Sequence, residues 1–451
     1  MTFRLVEPRS WFAADIATAV GGRLVGGDRE IRGVSIDSRA VLPGSLFVPI
    51  VGERNGHQFI DAARDAGAQC WFTSEPRDIE GEIVVSETSR ALTALGRAAR
   101  SGLPERIVGI TGSSGKTSTK DMLRAIFLEE GPTTASEKSF NNELGVPLTL
   151  VNSPANAVAA VIEMGARGKG HIATLCELAR PTVGIIVNIG TAHRELFGSA
   201  VGTADAKSEI YDAIPEHGSS VVNHDDDLFA FMRARARGRV LTFSAYGRAD
   251  ADVRATGVVV DDELRASFHL DTPWGSVPVS LGARGLHQVE NALAAAAAAL
   301  ATGSPLNGVV AGLATHDLSP LRMELQHTTT GVRVLNDSYN ANPSSMAAAL
   351  RSLAAMSGTR RFAVLGTMAE LGRQKLAYHL EIGALARELG ITLAVGYKEQ
   401  DFGLVNVVSI GDALDALGPL GDGDVVLVKG SRVAGLESMA EALVAGNGGV
   451  Q

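Results

Sequence analysis

A single lysine in the run TGSSGKT, residues 111 to 117, sits where the apolar segment IVGIT ends and the helix-patterned KTSTKDMLRAIFLEE begins. Strand, glycine loop and helix in that order aim backbone N–H groups and the positive end of a helix at a bound phosphate. Gly112 and Gly115 let the backbone come close, Lys116 supplies a point charge for β and γ phosphates, and the Thr117 hydroxyl can bind Mg²⁺. The strict GxxxxGKS/T spacing is not met, because position 110 is Ile and the nearest earlier glycine is Gly109. A Gly/Ser turn with a chance lysine is the plainer alternative, and the flanking strand and helix outweigh it.

Phosphoryl transfer spreads negative charge that is usually neutralised by Mg²⁺ on hard oxygen or imidazole ligands. Glu163 falls near the end of AVAAVIEMG (157 to 165), and His193 follows TVGIIVNIG (182 to 190). Strands parallel to the one feeding the phosphate loop open at the same crevice, so these two residues read together as a metal site. Asn188 in the same stretch is equally well explained as a turn former. His287 and Asn291 are four apart and share a helix face, as ligand contacts or as a polar pair at a helix start. Lys207, in helix-patterned AKSEIY, reads from position alone as a solvated side chain.

Positioning these residues takes a large scaffold. The chain has 451 residues, which at about 150 per domain predicts roughly three domains. Residues 1–104 read as a small α/β domain, with a strand pattern at 44 to 52 and a helical run from His57 to Ala66. Residues 105–317 read as a central domain with a parallel sheet covered on both faces, since near-continuous apolar strands alternate with helices. Its segment 253 to 281 alternates instead and turns at Asp261-Asp262 and Thr272-Pro273, which predicts an antiparallel ribbon. An alanine-rich helix from His287 to Ala301 closes it. Residues 318–451 restart a βαβ series with VRVLND, RFAVLG, LAVG, VVSI and DVVLVKG, a Rossmann-like third domain.

Hydrophobic residues make up 45% and charged residues 20%, enough apolar side chain for real cores. The net charge of −9 argues against a surface built for nucleic-acid phosphates or anionic lipid. The basic cluster RARARGR, 233 to 239, reads as a solvated helix end. Cys70 and Cys176 have no metal-ligand spacing and read as buried small hydrophobes. The first residues carry scattered charges without a continuous apolar run, and the longest apolar stretch, Ala292 to Ala301, is about half of a membrane span. A soluble, cytoplasmic protein is expected.

The series IDSR (36 to 39), PGSLFVPIVGERNGHQF, TGSSGKTS, SFNNELGVPLTL, EMGARGKGHIATL, NIGTAHRELFGS, AKSEIY, GLHQVENALAAAA, LRMEL, NDSYNANPSSM, LGTMAELG and KGSR resembles the Mur ligases over nearly the whole chain. The asparagine pair at 141 and 142 and NDSYNANP are similar to the member that adds a dipeptide, and the DNPR stretch of the ligase adding the third amino acid is absent. Thr367, Asn55 and Gln288 depart from the family pattern. The resemblance implies an α/β ligase of three domains: a UDP-binding domain, a P-loop ATPase-like domain and a closing third domain. It implies ADP-forming ligation through an acyl phosphate, with D-alanyl-D-alanine joined to UDP-N-acetylmuramoyl-tripeptide in peptidoglycan-precursor synthesis. ATP and two Mg²⁺ ions are implied as cofactors; a monomer without nucleic-acid or integral-membrane contacts is expected.

By the same resemblance, Gly112, Ser113, Ser114, Gly115, Lys116, Thr117 and Ser118 hold ATP phosphates, and Asn291 recognises adenine with His287 beside it. Arg322, Asn336 and Asp337 reach ATP from the third domain. Thr117, Glu163, His193 and Lys207, the last carbamylated by CO₂, are implied as metal ligands. Lys116, Glu163, His193, Lys207 and Arg322 form the implied catalytic set. Ser38 and Arg39 are similar to uridine-diphosphate contacts, although Asp37-Ser38-Arg39 also fits a strand-end turn. Asn141, Asn142, Tyr339 and Asn340 are similar to substrate contacts, although an Asx-type turn before Pro343 needs residues like the last two.

Overall fold

The computed structural model of the protein describes residues 9–137, 140–190, 199–314 and 319–447. The described residues build three main sheets, of five, nine and six strands, in chain order. The first runs Arg23–Leu24, Glu82–Val84, Cys70–Thr73, Leu46–Phe47, Val34–Ser35, mostly parallel. The strand expected over 44 to 52 joins the sheet only at Leu46–Phe47, because Pro49 cannot donate to a ladder and the chain leaves the sheet there, Val51 making a lone bridge to Asn55.

In the central sheet the phosphate-loop strand Ile107–Thr111 lies between Ala159–Glu163 and Val183–Ile186, parallel to both. All three strands are buried along their length, which is why their sequences run apolar instead of alternating. Further out come Ser219–Asn223 and Arg239–Ser244, also parallel. Val253–Val260, Arg265–Thr272 and Gly275–Arg284 then extend the same sheet as an antiparallel ribbon. The expected ribbon is therefore an edge extension of the central sheet.

Helix Lys116–Leu128 buries Met122, Leu123, Ile126 and Phe127, a stripe at helical spacing, against the central sheet. Beside it, helix Gln288–Ala301 is buried nearly all round. Its run of alanines lets the backbone lie close to its neighbours where larger side chains would hold it off. On the opposite face of the sheet, helix Gly145–Val151 meets helix Thr88–Arg100 of the first unit. A Cβ on Gly96 would lie 2.6 Å from that of Pro147, so glycine permits this approach. One apolar cluster runs from Ile16 through Leu92 to Ile162 and Tyr211, joining the first two units.

The third sheet runs Glu324–His327, Arg333–Asp337, Val425–Lys429, Arg361–Gly366, Leu393–Tyr397, Val405–Val407, parallel after its first strand. The last strand stands earlier than the expected VVSI, because Ser409 caps the next helix with its side chain and ends the extended run. Cys70 and Cys176 are buried free thiols, as expected. The basic run at 233 to 239 ends a helix, with Arg235 ion-paired to Asp205 and Asp212. No helix among the described residues is long and apolar enough to cross a membrane.

Candidate active site

A cavity of about 950 Å³ opens at the carboxyl ends of the central strands, between the second and third units. The run Ser113–Ser118 forms its floor. Gly115 starts the helix at φ 77°, in the left-handed region, and a Cβ there would lie 2.1 Å from Asn291 Oδ1. Both the conformation and the space demand glycine. Asn188 holds the loop from the neighbouring strand: its carbonyl accepts from Ser113 N at 3.0 Å, and its Oδ1 accepts from Ser114 N at 3.0 Å and Ser114 Oγ at 3.1 Å. The Ser113 hydroxyl is buried without a partner among the described residues, an arrangement that suits an incoming anion.

Two lysine amines converge on one carbonyl. Lys116 Nζ donates to Gly112 O at 2.8 Å and Lys207 Nζ to the same oxygen at 3.0 Å. Lys207 is 2% exposed, so the solvated reading of its position is wrong: it lies on the inner face of helix Ala200–Asp212. Burial, and then the charge of Lys116, hold its amine well below the usual lysine range. Burial also lowers Lys116, with Glu163 acting in the opposite direction.

Thr117 Oγ1 donates to Glu163 Oε2 at 3.0 Å and accepts from Arg322 Nη2 at 3.0 Å. Asn141 Nδ2 donates to the other oxygen of Glu163 at 2.8 Å. Arg322 thus reaches the phosphate loop from the third unit, its guanidinium 4.3 Å from the centre of the Tyr339 ring. Leu321 and Met323, on either side of it, take φ of 65° and 51°, left-handed values that are strained for such residues. Contacts of Leu321 N to Glu324 Oε2 and of Met323 N to Asp337 Oδ1 hold that backbone. Deeper in the third unit Lys429 Nζ meets Asp337 Oδ2 at 2.5 Å and the Asn340 carbonyl at 3.0 Å. His287, at the start of the alanine-rich helix, is pushed down to about 4, chiefly by burial.

Of the residues singled out in the sequence, Ser113 to Ser118, Asn141, Asn142, Glu163, Lys207, His287, Asn291, Arg322, Asp337, Tyr339 and Asn340 all line this cavity, and Gly112 supplies the shared carbonyl. Asn142 also accepts from Gly145 N at 2.9 Å, ahead of helix Gly145–Val151. Asn336 is buried and turned onto Ser338, its Oδ1 accepting from Ser338 Oγ at 2.7 Å, and does not line the cavity. Ser38 and Arg39 lie outside it too. Asp37 caps their short helix and pairs with Arg39, which fits the strand-end turn weighed as their alternative. His193 lies outside the described residues.

Sequence reasoning missed Lys429, Glu290 and Glu370, which also line the cavity. Lys429 stood in the noted KGSR run without a role. Glu290 looked like any acid in a first helical turn.

The donor set fits a hard cation with bound phosphates. Thr117 and Glu163 offer adjoining oxygens, Glu163 is buried, and no group of three or more His, Cys, Asp or Glu able to hold a metal alone occurs among the described residues.

Three family models match the chain: Mur ligase family, catalytic domain at residues 30–106; Mur ligase middle domain at 110–299; and Mur ligase, glutamate ligase domain at 321–432. The chain is 37% identical to the UDP-N-acetylmuramoyl-tripeptide--D-alanyl-D-alanine ligase of Escherichia coli (strain K12), covering 95% of this chain and 97% of that protein. To the ligase of the same name from Mycobacterium bovis it is 38% identical, over 96% and 97%. A crystal structure of MurF from Acinetobacter baumannii superposes with a TM-score of 0.86 at 32% identity, covering 97% of this chain and 99% of that one. The MurF ligase from Thermotoga maritima in complex with ADP gives 0.79 at 26% identity, over 91% and 96%.

Proposed function

The chain belongs to the Mur ligase family, and from that premise we propose the residue-level chemistry of its cleft. It is an ATP-dependent ligase of peptidoglycan synthesis that joins D-alanyl-D-alanine to UDP-N-acetylmuramoyl-tripeptide. The observation carrying the assignment of roles is the chain Arg322–Thr117–Glu163–Asn141, which links the third unit, the phosphate loop and the substrate side of the cleft.

The terminal carboxylate of the tripeptide attacks the γ-phosphorus of ATP and ADP leaves, giving an acyl phosphate. Lys116, the Ser113 hydroxyl and the N–H groups at the start of helix Lys116–Leu128 hold the phosphates, and Arg322 meets charge from the opposite wall. Such positioned charges are the main source of rate in phosphoryl transfer. The amine of D-alanyl-D-alanine then attacks the acyl carbon; its proton is lost and phosphate is expelled. Asn141, Asn142, Tyr339 and Asn340 face the acyl and amine substrates, Asn291 and His287 the base, and Asp337 the ribose side. Ser38 and Arg39 serve the uridine diphosphate. The third unit, lying over the loop, excludes water, the competing nucleophile.

Thr117, Glu163, His193 and Lys207 would hold Mg²⁺, as two ions, which would supply charge neutralisation when bound. The neutral Lys207 amine adds CO₂, forming an N–C bond with loss of a proton, and presents an anionic oxygen. Domain limits at 1–104, 105–317 and 318–451 suit these roles, and a monomer suffices because every role falls within one chain. The reaction belongs in the cytoplasm, where ATP is supplied.

Phosphate release tests this reading. Release is expected only when ATP, the UDP-tripeptide and D-alanyl-D-alanine are all present. Release with a single amino acid in place of the dipeptide would move the chain to another Mur-type activity, and no release at all would make it a nucleotide-binding protein without ligation.

A further inference from the structure

Glu290 is the one carboxylate of the alanine-rich helix's first turn, and it faces inward along the back of the phosphate loop. Its Oε1 accepts from Asn188 Nδ2 at 3.2 Å and from Asn223 Nδ2 at 2.8 Å. Asn223 is anchored independently, donating also to Val187 O at 2.8 Å and accepting from Asp225 N at 2.9 Å. Asn188 has its other end on the loop, where Ser114 N, a donor only, requires an acceptor.

An asparagine amide has a donor end and an acceptor end of nearly equal shape, so its two orientations must be told apart by its neighbours. A half-turn of the Asn188 side chain would aim its NH₂ at the Ser114 N–H and leave two donors facing each other. Nothing on the loop side besides Ser114 sets the choice; on the far side it is Glu290, which can only accept while ionised. Burial and the charges of Asp226 and Asp225 push this carboxyl up to about 7, against the two amide bonds that lower it. A carboxylate is thus kept at a place where its charge is unfavourable and where glutamine would keep the accepting oxygen without that charge.

We propose that Glu290 is a positioning residue for nucleotide binding: by accepting from Asn188 and Asn223 it fixes the amide orientation of Asn188, and through it the Ser113–Ser114 backbone that leads into the phosphate-binding helix start. Glu290 touches no reacting atom in this role. With Ser113 N and Ser114 N held on Asn188, the loop keeps its shape before nucleotide arrives, so binding does not have to meet the cost of ordering it.

The role rests on the nucleotide reading of the cleft, and ADP binding by calorimetry separates the two. Wild-type protein that fails to bind ADP overturns the cleft reading itself. Given wild-type binding, Glu290→Gln keeps the reach of the side chain and one acceptor oxygen, and should bind ADP within about threefold of wild type. Glu290→Asp keeps the charge but is one methylene too short to serve both amides, and should bind at least about tenfold more weakly, the scale of one net hydrogen bond. KM for the UDP-tripeptide should be unchanged in both. The reverse order, with the aspartate tight and the glutamine weak, would show that the charge acts on the nucleotide directly and would overturn the proposal. Equal, undiminished ADP binding in both variants would overturn it as well.

Discussion

The two walls of the cleft both bury lysine, and they treat it in opposite ways. On the central wall Lys116 and Lys207 share the carbonyl of Gly112 as their hydrogen-bond partner among the described residues. On the facing wall Lys429, as buried as Lys207, is bonded to the Asp337 carboxylate. Lys120, one turn along from Lys116, is likewise matched, by Asp121 at 2.8 Å and by the Ser136 carbonyl. A buried amine with its own carboxylate is complete, and its job is to hold other groups in place. Two amines crowded on one neutral oxygen are not complete; in the function proposed above, the charge they lack would arrive with phosphates or, for Lys207, with CO₂.

The largest test of that contrast is activity. Lys116→Ala removes a preorganised charge and should lower kcat/KM at least about a hundredfold, measured by phosphate release. Lys207→Ala should lose a similar factor but recover in part with acetate, which can enter the vacated space as an anionic oxygen ligand. Near-normal turnover of Lys116→Ala at saturating ATP would remove the loop assignment. A fully active Lys207→Ala would remove the carbamate.

Stability should move the other way, and by less. Lys429→Met leaves Asp337 as an uncompensated charge that is only partly hydrated, and should cost about 3 kcal/mol, the low end for breaking a buried pair. Lys207→Met replaces a buried amine that has no carboxylate partner among the described residues by an apolar side chain of similar length and should be neutral or stabilising while activity vanishes. Urea unfolding of the two variants checks both signs. If the two substitutions destabilise equally, the distinction between matched and unmatched lysines fails.

The same contrast explains what could be read in the sequence. The matched and unmatched lysines look alike as letters; KTSTK contains one of each. Lys116 was legible because strand, loop and helix surround it, and Glu163 because it ends a strand beside that loop. Lys207 was not, since its burial depends on which helix face meets the sheet, and only the family resemblance overrode the solvated reading. Arg322 came from the resemblance too: its reach to Thr117 spans 205 positions, a contact that no local pattern encodes. The parallel central sheet and the antiparallel ribbon followed from apolar runs and alternation, whereas short strands such as Leu46–Phe47 carry too few residues for a pattern. Asn336 and Asp337 were equal candidates in VRVLND. They part because neighbouring strand residues point to opposite faces of the pleat, and Asp337 alone turns to Lys429.

Glu290 gives the smallest and most pointed test, because it is a carboxylate held unmatched on the central wall, the negative counterpart of Lys207. Its pKa is raised from 4.5 to about 7, with Asn188, Asn223, Asp225 and Asp226 as the groups facing it. In the unfolded chain it ionises near its ordinary value; in the folded protein it keeps its proton longer, so the folded state binds more protons between about pH 4.5 and 7. Its contribution to stability is therefore fully present below that window and is lost as pH rises through it. Glu290→Gln cannot ionise and escapes the loss. Scanning calorimetry should show the variant and the wild type melting together near pH 5, and the variant melting higher at pH 8 by on the order of 1–3 °C. The gap must open with rising pH, since the ionised form is the one that burial and the two aspartates disfavour. A gap that is constant, or that closes towards pH 8, would mean that Glu290 is well matched, and the contrast between the walls would then hold for lysines alone.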